Sequence, residues 1–188
     1  MLARLATLLL KLGGWTAVGD RPDVTRAVII AAPHTSNWDA VWGLIYKVSL
    51  DIDVHFFGKH TVFWFPLGTL LRALGGIPLD RSRPGSAVQQ VVDTFRASES
   101  FYFALAPEGT RRRTSGWKSG FYRIARDADV PVICGFLDFG RKRIGLGPTI
   151  TLSGDVDADL ARFREFYADI EGRHPELASP VRFESPPQ

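Results

Sequence analysis

The 188-residue sequence has a single cysteine, Cys134. One thiol excludes a disulfide framework and favours a reducing compartment over an extracellular one. Histidine is scarce as well, and none of the four stands with acidic or cysteine partners at metal-ligand spacing, which argues against a zinc site. No serine occupies a Gly-x-Ser-x-Gly elbow. Cys134 itself lies in the apolar run VPVICGF, where a buried thiol is inert. The chain therefore offers no covalent nucleophile of its own, and if it is an enzyme the nucleophile belongs to the substrate. Internal repeats and linker-like stretches are missing too, so the length fits one domain, large enough to bury about 70% of its unfolded surface without metal or disulfide. Zinc-finger spacing, a helix-turn-helix pattern and an aromatic RNA-binding signature are also absent, which leaves nucleic acid with little support.

What is present is an ordinary globular balance, 45% hydrophobic and 23% charged residues, with an uneven charge. Residues 154–188 carry 4 basic and 8 acidic side chains, whereas the first 153 residues carry 19 basic and 12 acidic ones. A surplus of this size in the body of the chain points to an anionic partner. The cations cluster at Arg81 and Arg83, at Arg111–Arg113 with Lys118, and at Arg141–Arg143. Glycines flank the last cluster, at Gly140 and Gly145, so it reads as a charged turn between strands.

Residues 1–14 read as a short amphipathic helix and 15–188 as a single domain. Arg4, Thr7 and Lys11 form one polar stripe on Met1–Leu12 and leucines cover the rest. As a helix this segment reaches about 18 Å, short of a hydrocarbon core of about 30 Å. Two readings stand: a helix lying on a membrane surface with its cations toward phosphates, or one packed into the core. Further on, apolar runs at 27–32, 54–57, 77–79, 101–106, 130–136 and 144–152 read as strands, the earlier ones continuous rather than alternating in character. Trp38–Leu50, Thr61–Ala73, Ser86–Ser98 and Trp117–Arg126 read as helices, and Leu160, Phe163, Tyr167 and Ile170 mark a late one. This alternation predicts an α/β domain with a mostly parallel central sheet flanked by helices. The aromatics Phe63, Trp64 and Phe65 fit either a core position or a lipid-facing patch.

Two predicted strands run into loops rich in reactive groups, Pro33–Asp39 and Pro107–Arg111, where open α/β sheets hold their ligands. His34 and Asp39 are five residues apart, about 140° around a continuous helix, so one helix would not bring them together. Ser36 followed by Asp39 instead fits a helix-capping box. His34 then lies on the turn before the helix and can fold back on the carboxylate. Two uses remain open, a base with its orienting acid or a plain cap beside a strand-end histidine. His55, His60 and His174 read as structural.

Taken together, residues 33–135 resemble the glycerolipid acyltransferases of the lysophosphatidate type, which carry a His-x4-Asp signature. His34 and Asp39 match that signature, Gly76–Arg81 the glycine, apolar strand and Asp-Arg block, Pro107–Arg111 the Pro-Glu-Gly-Thr-Arg block, and Val130–Ile133 the apolar proline block. All four appear in the family's order. Lys59 and Lys118 also fall at positions where related sequences often have them. The chain departs from the pattern at Pro33, where the family usually has Asn, and at Ala106, where it usually has Phe.

The resemblance implies transfer of a fatty acyl group from a thioester, acyl-CoA or acyl carrier protein as co-substrate, to a hydroxyl of 1-acyl-sn-glycerol-3-phosphate in phospholipid synthesis. No further cofactor and no metal is implied. His34 would be the base and Asp39 its orienter. Arg81 and Arg111 would grip the acceptor phosphate, with Lys59 and Lys118 behind them. Glu108 would hold the site together by pairing with a cation or bonding an acceptor hydroxyl, and Gly109 and Thr110 complete the binding block. Backbone N–H groups near Gly109 or the start of the Trp38 helix would receive the oxyanion. The protein would sit peripherally on the cytoplasmic side of a membrane. Other readings are a lyso-aminolipid acceptor, a thioester hydrolase, and a non-catalytic module binding anionic lipid.

Overall fold

Residues 1–79 and 86–187 are described by the computed structural model. In chain order the elements are α1 (Leu2–Leu12), β1 (Thr16–Val18), β2 (Arg26–Ala32), α2 (Asn37–Leu50), β3 (Val54–Lys59), α3 (Leu67–Ala73), β4 (Gly76–Leu79), α4 (Ser86–Ala97), β5 (Phe101–Leu105), α5 (Gly120–Ala128), β6 (Val132–Asp138), β7 (Arg143–Ile150) and α6 (Val156–Tyr167). The strands form one sheet in the order β1-β7-β6-β2-β5-β3-β4. Every adjacent pair is parallel except β6 with β7. The α/β domain expected from the sequence, with its mostly parallel sheet, is the one observed.

Burial on both faces explains the apolar strands. In β2, Val28, Ile30 and Ala32 join a core with Phe95, Phe121 and Phe163 from α4, α5 and α6. Ala27 and Ile29 point to the other face, against Ile52 and Val54. A central strand with both faces covered has no position for a polar residue. Among the described residues β4 pairs only with β3, and an edge strand tolerates Pro78, which has no N–H to donate. Hydroxyl Oη of Tyr167, at the end of α6, lies 2.9 Å from the Gly135 carbonyl and 3.3 Å from that of Ile30, tying α6 to β6 and β2.

Several expectations are corrected. The predicted helix Thr61–Ala73 is a 3-10 turn over His60–Val62 followed by α3. Pro66 stands at the N-cap of α3, where a residue lacking N–H can start a helix but cannot continue one from the preceding turn. Trp64 and Phe65 are 60% and 83% exposed, so their core reading does not hold. In α1 only Ala6 and Leu10 are buried. They pack toward α2, beside a cluster in which Leu10 meets Trp15 and Tyr46, while Leu2, Leu5, Leu8, Leu9 and Leu12 stay exposed. The helix docks on the domain by a narrow edge and keeps its leucine face outward. No helix among the described residues is long and apolar enough to cross a membrane.

Candidate active site

β2 lies between β5 and β6, parallel to both, so the loops that follow β2 and β5 leave the same edge of the sheet side by side. Past β2, Ser36 caps α2. Its hydroxyl accepts the Trp38 N–H at 3.2 Å, and its own N–H donates to Asp39 Oδ2 at 2.9 Å, the reciprocal arrangement of a capping box. The Thr35 N–H donates to the same oxygen at 2.8 Å. This tight turn brings His34 back onto the helix, with Nδ1 3.1 Å from Asp39 Oδ2.

An Nδ1–H donated to Asp39 fixes the ring and leaves Nε2 as the basic nitrogen. The two partners differ in exposure. The imidazole is 22% exposed and the carboxylate 4%, so a reactant reaches the base but not the acid that orients it. Asp39 Oδ1 is buried with no hydrogen-bond partner among the described residues.

The loop after β5 turns sharply, the Gly109 N–H closing on Ala106 O at 3.0 Å. Gly109 has φ +65, a conformation that disfavours a side chain. A Cβ there would also stand 3.1 Å from Lys118 Cδ and 3.2 Å from its Nζ, so the Lys118 chain lies along this turn. The Lys118 N–H in addition donates to Pro107 O at 2.8 Å. Thr110 Oγ1 accepts the Arg112 N–H at 3.3 Å. Two bonds cross between the loops: His34 N–H to Glu108 Oε2 at 3.3 Å, and Arg111 Nη1 to Asn37 Oδ1.

Glu108 links the two loops through the backbone of His34 and not through a cation. It is 1% exposed and pairs with no cation among the described residues. Oε2 holds the backbone of His34, and Oε1 has no hydrogen-bond partner there. Burial pushes its carboxyl from the ordinary 4.5 up to about 7, the nearby charge of Asp39 acting in the same direction and the N–H groups of His34 and Ser179 opposing it. Among the N–H groups expected to receive an oxyanion, two are already used. Both the Gly109 and Trp38 N–H groups are engaged within their own turns. Lys59 ends β3 at the same sheet edge. Arg81 lies outside the described residues.

A family model described as Acyltransferase matches residues 18–135, more than half of the chain and including both loops. The chain belongs to the Acyltransferase family. Among its relatives are proteins named 1-acyl-sn-glycerol-3-phosphate acyltransferase from Limnanthes douglasii and Limnanthes alba, each 32% identical over 81 residues. Those residues are 40% of this chain and 29% of each relative's length. The fold is shared with the crystal structure of the 1-acyl-sn-glycerophosphate (LPA) acyltransferase PlsC from Thermotoga maritima, at a TM-score of 0.60 and 16% identity over 88% of this chain and 74% of that one.

Beyond the Acyltransferase match, the chain after α6 returns to the site. The His174 N–H donates to Thr35 Oγ1 at 3.2 Å, and the Arg173 guanidinium lies 5.7 Å from the Trp38 ring centre. Thr35, Asn37 and this returning segment were missed in the sequence. They are ordinary polar residues with no spacing signal, and the segment meets the loop from more than a hundred positions away.

Proposed function

We propose that this chain is an O-acyltransferase that moves a fatty acyl group from an acyl-CoA or acyl carrier protein thioester to the free hydroxyl of 1-acyl-sn-glycerol-3-phosphate. The observation that carries the reading is the His34 Nδ1–Asp39 contact at 3.1 Å, on a loop bonded directly to the Glu108–Arg111 turn. Membership of the Acyltransferase family and the names of the relatives support the same chemistry.

In this mechanism Nε2 of His34 takes the acceptor's hydroxyl proton as its oxygen attacks the thioester carbonyl. Asp39 holds the imidazolium so formed. When the tetrahedral intermediate collapses, the C–S bond breaks and the imidazolium returns the proton to the departing sulfur, giving an ester, a free thiol and a regenerated base. Arg81 and Arg111 receive the acceptor phosphate, for which a planar guanidinium is better shaped than a lysine. Arg111 spends one donor on Asn37 and has others to give. Lys118, whose chain lies along the Gly109 turn, adds positive charge there, and Lys59 is assigned to the same task from its sequence position. The exposed leucine face of α1, with exposed Trp38 and Val41 on the neighbouring α2, supports a peripheral position on a membrane surface with lipid close to the His34 loop, and we assign that surface to the cytoplasmic side.

The test is incubation of purified protein with labelled acyl-CoA or acyl carrier protein thioester, offering glycerol 3-phosphate, 1-acyl-sn-glycerol 3-phosphate and a lyso-aminolipid in parallel, followed by lipid mass spectrometry. The expected product is a diacylated glycerol phosphate, and His34→Ala lowers its rate by about 10²–10⁴-fold in a folded protein. Near-normal turnover by His34→Ala would sink the base assignment. Free fatty acid formed in the presence of every acceptor would show a hydrolase instead.

A further inference from the structure

The segment after α6 is fixed first to the sheet. Arg141 Nη1 donates to Asp138 Oδ2 at 3.1 Å and to the carbonyl of Asp169, which gives the Arg141–Arg143 cluster one structural task. The Phe139 N–H then donates to Glu171 O at 2.8 Å. From this anchorage at the end of β6, next to β2, the chain runs directly over Thr35. Gly172 is buried, and a Cβ placed on it would come 2.8 Å from Thr35 Oγ1, 3.0 Å from Thr35 Cγ2 and 3.3 Å from Pro33 Cγ. Two residues later the His174 N–H takes Thr35 Oγ1 as its acceptor. Further along, Ser179 Oγ accepts the Thr114 N–H at 3.1 Å, and the N–H of Ser179 faces Glu108.

Thr35 is thus held from two directions. Its side chain, 3% exposed, is gripped by residues 172–174, while its N–H holds the Asp39 oxygen that orients His34. We infer that residues 169–179 are a positioning strap for the His34–Asp39 pair, acting through the Thr35 hydroxyl. The inference rests on the acyl-transfer reading of that pair. It adds a requirement that lies outside the residues matched by the family. A base displaced by a fraction of an ångström loses much of its advantage, and among the described residues the Thr35 hydroxyl takes its hydrogen bond from the His174 N–H.

Three variants test it. Thr35→Val keeps the shape and removes the acceptor oxygen. Gly172→Ala keeps Thr35 and pushes the strap off it. Thr35→Ser restores the hydroxyl without the methyl. Thr35→Val and Gly172→Ala should each lower kcat by about tenfold with KM for both substrates unchanged, the signature of a lost transition-state alignment, and Thr35→Ser should recover most of kcat. Unaltered kcat in Thr35→Val, or a Thr35→Ser no better than Thr35→Val, overturns the inference. Amide hydrogen exchange reads the same point without turnover. The Thr35 and Ser36 amides bonded to Asp39 should exchange about tenfold faster in Thr35→Val and Gly172→Ala, and unchanged exchange also overturns it. An inactive wild type whose exchange responds in this way supports the strap and refutes acyl transfer, so the two readings fail separately.

Discussion

Glu108→Gln should make the protein more stable, by an amount that grows with pH. The buried carboxyl of Glu108 titrates at about 7 instead of the ordinary 4.5, so the folded state binds its proton more tightly than the unfolded chain does. That contribution is fully present below pH 4.5 and is lost as pH rises through about 7. At about 1.36 kcal/mol for each pH unit between the two values, the ionised side chain costs the folded state about 3 kcal/mol at pH 8. Glutamine has nearly the same shape, keeps an oxygen for the His34 N–H, and does not titrate. Urea unfolding of both proteins from pH 4.5 to pH 8.5 measures the effect. The difference in stability, variant minus wild type, should climb across this range by about 3 kcal/mol and level off above pH 7. Other titrating groups are common to both proteins and cancel. Any fixed cost of burying the amide shifts the whole curve without changing its slope. A flat difference, or one that falls as pH rises, refutes the account of Glu108 as a buried carboxyl short of compensating donors.

Arg111→Ala should raise KM for a phosphorylated acceptor by about ten- to a hundredfold, the worth of a hydrogen bond to a charged group, while leaving KM for the thioester unchanged. Steady-state kinetics with each substrate varied in turn checks this, and an unaltered acceptor KM removes Arg111 from the phosphate site. Changing Leu5 and Leu8 to Glu should abolish sedimentation with vesicles containing anionic lipid, since each buried leucine is worth about 1.5–3 kcal/mol. Both side chains are more than half exposed, so thermal stability should change little, and retained vesicle binding would show that this face does not meet lipid.

The parts of the site that could be read from the sequence are those fixed by local rules. Ser36 and Asp39 form a cap because a helix must satisfy its first N–H groups, and that cap turns His34 back toward the carboxylate across five positions. The continuous apolar character of Ala27–Ala32 likewise announced a strand buried on both faces. The illegible parts depend on strand order. Glu108 meets the backbone of His34 across 74 positions only because β5 lies next to β2, and nothing in a pattern of alternating strands and helices says which strands are neighbours. β1 escaped notice because it has three residues, two of them exposed, too few to show a period. The two halves of the predicted Thr61–Ala73 helix show the reverse error, a composition that suits a helix interrupted by one proline.

Charge was the broadest signal in the sequence, and the structure narrows where it can act. Lys47 donates Nζ to the carbonyls of Val54 and Leu74 at 2.8 and 2.6 Å. Arg26 bonds Phe95 O, Arg96 bonds Asp127 O, Arg162 bonds Thr151 O and Arg182 bonds Ser115 O. Lys142 lies over the Trp15 ring, 5.0 Å from its centre, and Arg141 anchors the strap. Most of these cations satisfy carbonyls near the ends of helices and strands, groups that regular secondary structure leaves without donors. A count of basic residues therefore overstates the surface available to an anion. Arg111–Arg113 differ from them. All three are exposed, none is paired with a carboxylate among the described residues, and the Arg111 guanidinium is held by the neutral Asn37 amide beside His34. A cation whose charge is left uncompensated but whose position is fixed has little to do for the fold, and much to offer a phosphate. Of the places the composition pointed to, the sheet edge above β2 and β5 is thus where a phosphate finds fixed and uncompensated cations beside the His34 loop.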